Sequence, residues 1–218
     1  CLINDDVTTF YRTTPALNQT ASTTGWSILR DKHGLPTPRT IHFGSNDRLL
    51  LKRYVDFLGG FPLVLKTVGS TRGIGTMKLD TWHGLVSVAD FLVSTGTHFI
   101  MRQYVVPTSL HRLIVIGDEV IASAECQINE GDFRNAAMAS QVKYAPVSPS
   151  LEEMQAAIRA THIANTYFGG VDIIIDDHGH PFILEVNFPT GFCGLVPVCN
   201  VDIAMRMVEF LYRRMEQR

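Results

Sequence analysis

Short apolar, β-branched runs alternate along the chain with longer segments whose apolar residues recur every three or four positions, so strands and amphipathic helices are expected in turn. The polar stretch 14–24 favours a loop or a polar helix start, and a short helix over 26–33 would end at Gly34. Gly34-Leu35-Pro36-Thr37-Pro38 then forces extended backbone into a strand over 40–43. A helix follows over 48–58, capped by Ser45 or Asn46, with Leu50, Leu51, Tyr54, Val55 and Leu58 on its apolar face and Gly59-Gly60 as its stop. The strand over 61–66 ends in Lys66, and the stretch Gly69-Ser70-Thr71-Arg72-Gly73-Ile74-Gly75 separates it from another strand. A helix over 82–95, a strand over 99–105 and a hairpin pairing 110–116 with 120–126 come next. Ser150 and Glu153 have the form of a capping box, and Leu151, Met154, Ile158, Thr161 and Phe168 continue at helical spacing to Gly169-Gly170. Asp202 caps a last helix with Ile203, Met207, Phe210 and Leu211 inward. Hairpins alternating with helices indicate an α+β protein with antiparallel or mixed sheets.

The most informative pattern lies near the end, where two apolar arms, 170–175 and 182–187, flank Asp176-Asp177-His178-Gly179-His180-Pro181. A turn centred on His178-Gly179 sets Asp172 opposite Glu185. Alternation then brings Asn187 to the same face and turns Leu184 and Val186 away. Two facing carboxylates in apolar strands need a cation or a proton between them, and an oxygen-only cluster suits Mg²⁺ or Mn²⁺ better than zinc. The alternative is a solvent-facing polar edge.

Other stretches carry weaker chemistry. The glycines of 69–75 would let backbone N–H groups wrap phosphate oxygens, with Ser70, Thr71 and Arg72 adding donors and Lys66 an ammonium at the strand end. No Gly-Lys-Ser/Thr follows, so it is not a P-loop, and its place between two strands excludes a dinucleotide fingerprint. A structural hairpin is the other reading. Arg112 alternates with Ile114 and Ile116 on a mostly apolar strand face, which calls for a structural carboxylate or an anionic ligand. Arg134, within the polar run 129–135, is a second candidate anion-binding cation or part of a solvated loop. His178 and His180 belong to an exposed turn, and the neighbours of His111 lack ligand spacing.

The 218 residues, 45% hydrophobic and 18% charged with a formal net charge of -2, can bury a full core and lack the basic footprint of a nucleic-acid binder. No apolar run approaches bilayer length and no signal-peptide pattern opens the chain, so a cytoplasmic setting is expected. Cys1, Cys126, Cys193 and Cys199 form no CxxC pair, which favours reduced thiols.

Taken in order, several segments resemble the ATP-grasp superfamily, most closely RimK-type ligases that add glutamate or related amino acids to a carboxyl group. They are Lys66, the 69–75 loop, Gln103-Tyr104-Val105, Arg112 before Val115-Ile116-Gly117-Asp118-Glu119-Val120, Glu130-Gly131-Asp132-Phe133-Arg134, Gly170-Val171-Asp172 and Leu184-Glu185-Val186-Asn187. The resemblance covers nearly the whole chain from about Gly34. It implies a single ATP-grasp unit over 1–218, made of a small lid subdomain (41–101) and a larger subdomain (1–40 and 102–218), with ATP between them. A further α/β domain upstream would be expected. It also implies that Lys66 and Gly69, Ser70, Thr71, Arg72, Gly73 and Gly75 hold the phosphates. Gln103, Tyr104 and Val105 would recognise adenine, and Arg112 and Arg134 would hold the acceptor carboxylate or transferring phosphate. Asp172, Glu185 and Asn187 would be the ligands of Mg²⁺ or, alternatively, Mn²⁺. The partners implied are ATP, a small-molecule or peptide carboxylate and an amine or amino acid, and homo-oligomers are common in the superfamily.

Three positions depart from the RimK pattern. Ser22-Thr23 stand where an Asp-Lys pair is usual, Gln103 replaces a Glu, and Leu110 replaces an Asp two residues before the arginine. Thr23 and Leu110 keep open a non-catalytic nucleotide-binding or regulatory module as the alternative to the ligase, and a structural α+β domain without nucleotide is a third reading.

Overall fold

In the computed structural model the described residues are 8–10, 32–69, 73–127 and 143–217. The expected helix over 26–33 falls almost wholly outside them, as do the polar stretch 14–24 and the loop 129–135. The first elements in chain order are β1 (Thr40–Ile41), α1 (Arg48–Leu58), β2 (Leu63–Thr67), β3 (Thr76–Leu79), α2 (Trp82–Ser94) and β4 (Phe99–Gln103). They build one antiparallel sheet in the order β1-β4-β2-β3, with α1 and α2 on one face. Leu51, Leu58, Leu63, Leu65, Leu85 and Met101 are fully buried there.

The cap of α1 differs from expectation. Asp47 rather than Ser45 or Asn46 accepts the free N–H groups of Leu49 and Leu50. Ser45 Oγ instead accepts the Asp47 N–H, and Asn46 donates to Asp90 across the helix pair. The apolar face is also narrower than expected. Leu51 and Leu58 are buried and Tyr54 and Val55 half-buried, while Leu50 is 37% exposed. Gly59, at φ 95, closes the helix in the left-handed region.

The second sheet is built from β5 (Ser109–Ile116), β6 (Glu119–Cys126), β7 (Tyr144–Pro146), β8 (Phe168–Ile175) and β9 (Pro181–Asn187). Its order is β7-β6-β5-β8-β9, with every pairing antiparallel. On its back face α3 (Leu151–Ile163) packs against Leu113, Val171, Ile173 and Ile183. The capping box predicted at Ser150 and Glu153 is present. After the short α4 (Val196–Cys199), the last helix, α5 (Ile203–Glu216), is capped by Asp202 and sends Ile203, Met207 and Phe210 into a cluster with Ile114, Ile116 and Phe168. Among the described residues no helix is long and apolar enough to cross a membrane.

The helix expected to run on to Gly169-Gly170 stops earlier, at Ile163. Asn165 at φ 57 turns the chain, and Phe168, Gly169 and Gly170 belong to β8. The two glycines are required by packing rather than by a helix stop. A Cβ on Gly169 would come within 2.9 Å of Val186 Cγ1, and one on Gly170 within 2.2 Å of Thr190 Oγ1.

Candidate functional site

The front face of the second sheet, opposite α3, carries the polar cluster. Leu110, Arg112, Ile114 and Ile116 alternate toward it from β5, while His111, Leu113 and Val115 face back. Arg112 pairs in register with Asp172 of β8, and Asp172 with Glu185 of β9. One row across three strands therefore brings a guanidinium and two carboxylates side by side, and Asn187 lies one step further along β9.

The facing of Asp172 and Glu185 agrees with the sequence, but it arises differently. Ile173 pairs with Ile183, Ile174 with Phe182 and Ile175 with Pro181, so the turn is centred on His178, and a β-bulge at Leu184 restores the expected partner for Asp172. The bulge also corrects the expected direction of Leu184. It packs with Ile174, Leu110, Cys126 and Val105 on the front face, while Val186 turns back to the α3 side as expected. The turn is held by Asp176, whose Oδ1 accepts the N–H groups of His178 and His180, and both histidines are exposed.

Arg112 grips Asp172 with two parallel bonds, Nε to Oδ1 at 2.7 Å and Nη2 to Oδ2 at 2.7 Å. Asn187 Nδ2 donates to Asp172 Oδ2 and to Glu185 Oε1, each at 3.1 Å. Lys66 reaches across from the first sheet, its Nζ 3.9 Å from Glu185 Oε2. Burial pushes the Asp172 carboxyl up, against the pull of the Arg112 charge. Burial alone would lower the guanidinium, but the Asp172 charge and its hydrogen bonds hold it above its ordinary value. Tyr144, from β7, faces the same pair. Burial raises its phenol and the charge and hydrogen bond of Arg112 oppose the rise.

The remaining expected residues fall around this cluster. Lys66 sits at the cleft-facing side of β2, because its neighbour Leu65 points into the α1–α2 core. β2 and β3 form the predicted hairpin, closed by Thr67 N–H to Gly75 O at 3.0 Å, with Gly69, Gly73 and Gly75 at positive φ. Ser70, Thr71 and Arg72 lie outside the described residues, as does Arg134. Val105 is buried in the apolar floor with Leu110, Cys126 and Ile174. Gln103 is turned away from the cleft. Its Oε1 accepts from Arg39 Nε at 3.2 Å, on the side of the sheet away from Lys66.

Three residues near the cluster escaped the sequence reading. Tyr144 sits on a three-residue strand with no periodicity to reveal it. Lys78 lies across from Val64 on the cleft side of β3, and its ammonium sits 4.7 Å from the centroid of Tyr104. Its alternation with Thr76 was the available signal. Thr190, almost fully buried against Gly170, has a hydroxyl with no hydrogen-bond partner among the described residues.

Two carboxylates and an amide oxygen are the kind of hard oxygen donors a divalent ion takes, and Arg112 and Lys66 beside them are suited to anionic oxygens. The ion would be held by Asp172, Glu185 and Asn187 Oδ1 once the amide turns.

Comparison with known proteins identifies the family and the fold. The family model for the RimK-like ATP-grasp domain matches residues 26–211. A probable alpha-L-glutamate ligase of Citrobacter koseri is 35% identical over 162 residues, covering 73% of this chain and 53% of that protein. The ribosomal protein bS6–L-glutamate ligase of Escherichia coli is 33% identical with the same coverage, so the chain spans about half the length of these curated relatives. Among solved structures, the ATP-grasp ligase PsnB complexed with a minimal precursor superposes with a TM-score of 0.71 at 25% identity, covering 93% of this chain and 63% of that one. The D-alanine–D-alanine ligase of Bacillus anthracis, at 14% identity, shares the fold with a TM-score of 0.69 over 93% of this chain and 69% of that one. With the motif order, the two antiparallel sheets and the family match in agreement, the chain belongs to the RimK-like ATP-grasp family.

Proposed function

We propose that the chain forms the nucleotide-binding and catalytic part of an ATP- and Mg²⁺-dependent ligase that joins a carboxylate to an amine, with Mn²⁺ able to replace Mg²⁺ and the cytoplasm as its setting. The observation that carries this reading is the convergence of Lys66 from one sheet with Arg112, Asp172, Glu185 and Asn187 from the other. The lid would be 41–101 and the larger subdomain 1–40 with 102–218, the nucleotide lying between them.

Each residue then has a physical task. The 69–75 hairpin and Lys66 neutralise and hold the phosphates, and the apolar floor of Val105, Leu110, Ile174 and Leu184 receives the base while the main chain of 103–105 meets its edge. The departure to Leu110 extends that floor. Arg112 and Arg134 hold the acceptor carboxylate and the phosphoryl oxygens. Metal held by Asp172, Glu185 and Asn187 supplies charge neutralisation on the phosphates. A carboxylate oxygen attacks the γ-phosphorus, the bond to the β–γ bridging oxygen breaks and ADP leaves. The amine nitrogen then attacks the acyl carbon, loses its proton, and phosphate departs as the amide forms. No protein nucleophile is needed, because positioning and electrostatics supply the rate.

The relatives' names make glutamate the first amine to test, and the complex of PsnB with a minimal precursor makes a carboxylate of a larger substrate the first acceptor to test. The full-length protein is expected to release ADP and phosphate only when both a carboxylate and an amine are present with MgATP. Glu185→Gln should lower kcat/KM by about 10²-fold or more. Binding of MgATP without turnover across a broad carboxylate and amino-acid panel would replace the ligase with a nucleotide-binding module.

A further inference from the structure

In this arrangement the acidic cluster already has its cations. Asp172 and Glu185 carry two negative charges, Arg112 and Lys66 two positive ones, and the four groups sum to zero. Arg112 occupies both oxygens of Asp172 in fork geometry, the strongest form of a charge-assisted pair. Asn187 turns its amide nitrogen, not its oxygen, to both carboxylates. Both carboxylates are therefore engaged by groups of the chain itself, and the Asn187 amide presents its nitrogen to them where a divalent ion would need its oxygen.

Resting on the ligase reading, we propose that Arg112 and Lys66 act as internal counter-cations that keep divalent metal out until nucleotide phosphates draw them off Asp172 and Glu185. A dication approaching the neutral cluster gains little Coulomb attraction, must give up tightly held water, and would have to displace a bidentate guanidinium. A phosphate chain changes each of these terms. It offers Arg112 the same fork of oxygens that Asp172 does, and it takes Lys66 from a contact that is already long at 3.9 Å. The released carboxylates and the added phosphate charge then leave a net negative pocket, in which the Asn187 amide gains by turning its oxygen inward. Arg112 is in this sense a positioning residue, acting on metal through Asp172, in addition to any contact with substrate. The lid shares the same control, because Lys66 comes from β2 and Glu185 from β9, so the ion pair that guards the metal site also spans the two sheets.

The test uses Mn²⁺ as a paramagnetic probe of the full-length protein, with free Mn²⁺ read by electron paramagnetic resonance. Wild type without nucleotide should bind Mn²⁺ only weakly, and adding AMPPNP should produce a protein-bound signal. Arg112→Met should tighten nucleotide-free Mn²⁺ binding at least tenfold, whereas Arg112→Lys, which keeps the charge, should tighten it less than threefold. Equal Mn²⁺ affinities for wild type and a folded Arg112→Met would overturn the proposal. Should Arg112→Met fail to fold, the Arg112 Nε–H resonance of wild type decides the matter. It should stay in place through 20 mM MgCl₂ and move when AMPPNP is added with Mg²⁺. A saturable shift with Mg²⁺ alone sinks the idea. Absence of any protein-bound Mn²⁺ with AMPPNP present overturns the ligase reading itself, a result separable from unchanged variant affinities.

Discussion

Glu153 is the side chain whose removal gives the sharpest test of how the site strand is supported. It sits at the third position of α3, 6% exposed, and makes two contacts at once. Oε2 accepts the Ser150 N–H at 2.7 Å, completing the capping box, and Oε1 meets Nδ1 of the buried His111 on β5. His111 immediately precedes Arg112, so this pair pins from behind the strand that presents the guanidinium in front. Glu153→Ala removes half of a capping box, about 1 kcal/mol, and strands the His111 ring nitrogen, about 1–3 kcal/mol. The sum, about 2–4 kcal/mol, corresponds to a fall in Tm of roughly 4–16 °C for a domain of this size. Replacing both partners by apolar residues, His111→Phe with Glu153→Met, should recover most of the loss, because no polar atom of the pair is then left unmatched.

The same pair gives a pH signature. Burial alone would raise the Glu153 carboxyl, but the hydrogen bonds from His111 and Ser150 outweigh it and hold the group below its ordinary value of 4.5. The unfolded chain therefore takes up this proton first as pH falls. The stabilisation is complete above pH 4.5 and is lost as pH drops through the folded value. Thermal melts by circular dichroism from pH 3 to 7 read both effects, and Glu153→Ala should show a flatter acid limb than wild type. A variant that melts within about 1 °C of wild type, with an unchanged acid limb, would refute the assignment of Glu153 as a dual anchor.

Two further outcomes follow from the same geometry. Gly170→Ala puts a Cβ 2.2 Å from Thr190 Oγ1, so the loop after β9 must move by roughly 1 Å for normal contact, costing about 1–3 kcal/mol and, through Asn187 in register with Gly170, about 10²-fold in MgATP turnover. A variant with wild-type Tm and turnover would show that the loop is free to yield. Burial, with Asp172 adding to it, pushes the Cys126 thiol up to about 12, so iodoacetamide at pH 8 should label the exposed Cys193 and leave Cys126 unmodified until denaturant is added, as read by peptide mass spectrometry. Labelling of Cys126 in the native protein would contradict its place in the apolar floor.

Much of the architecture was legible in local pattern. Apolar periodicity located α1, α2 and α5, Ser150 with Glu153 marked the start of α3, and the alternation of Arg112 with Ile114 and Ile116 put a cation on an apolar face. These features repeat over a few residues, and the energy that enforces them is local, so the sequence alone determined them. It also determined the order of chemical groups, which tied the chain to its family. Tertiary structure decided what local pattern does not contain. Phe168, Gly169 and Gly170 fit a helical spacing, yet they pair with β5, and the two glycines answer the close approach of Val186 and Thr190 rather than a helix stop. The bulge at Leu184 offsets a turn centred one half-step earlier than the residue types implied, so Asp172 still faces Glu185 while Leu184 changes sides. The partner of Arg112 was readable only as some anion. That it is Asp172, with Asn187 and Lys66 closing the rest of the cluster, follows from strands 60 residues apart meeting in one row, and long-range pairing of that kind leaves no trace in the periodicity of either strand.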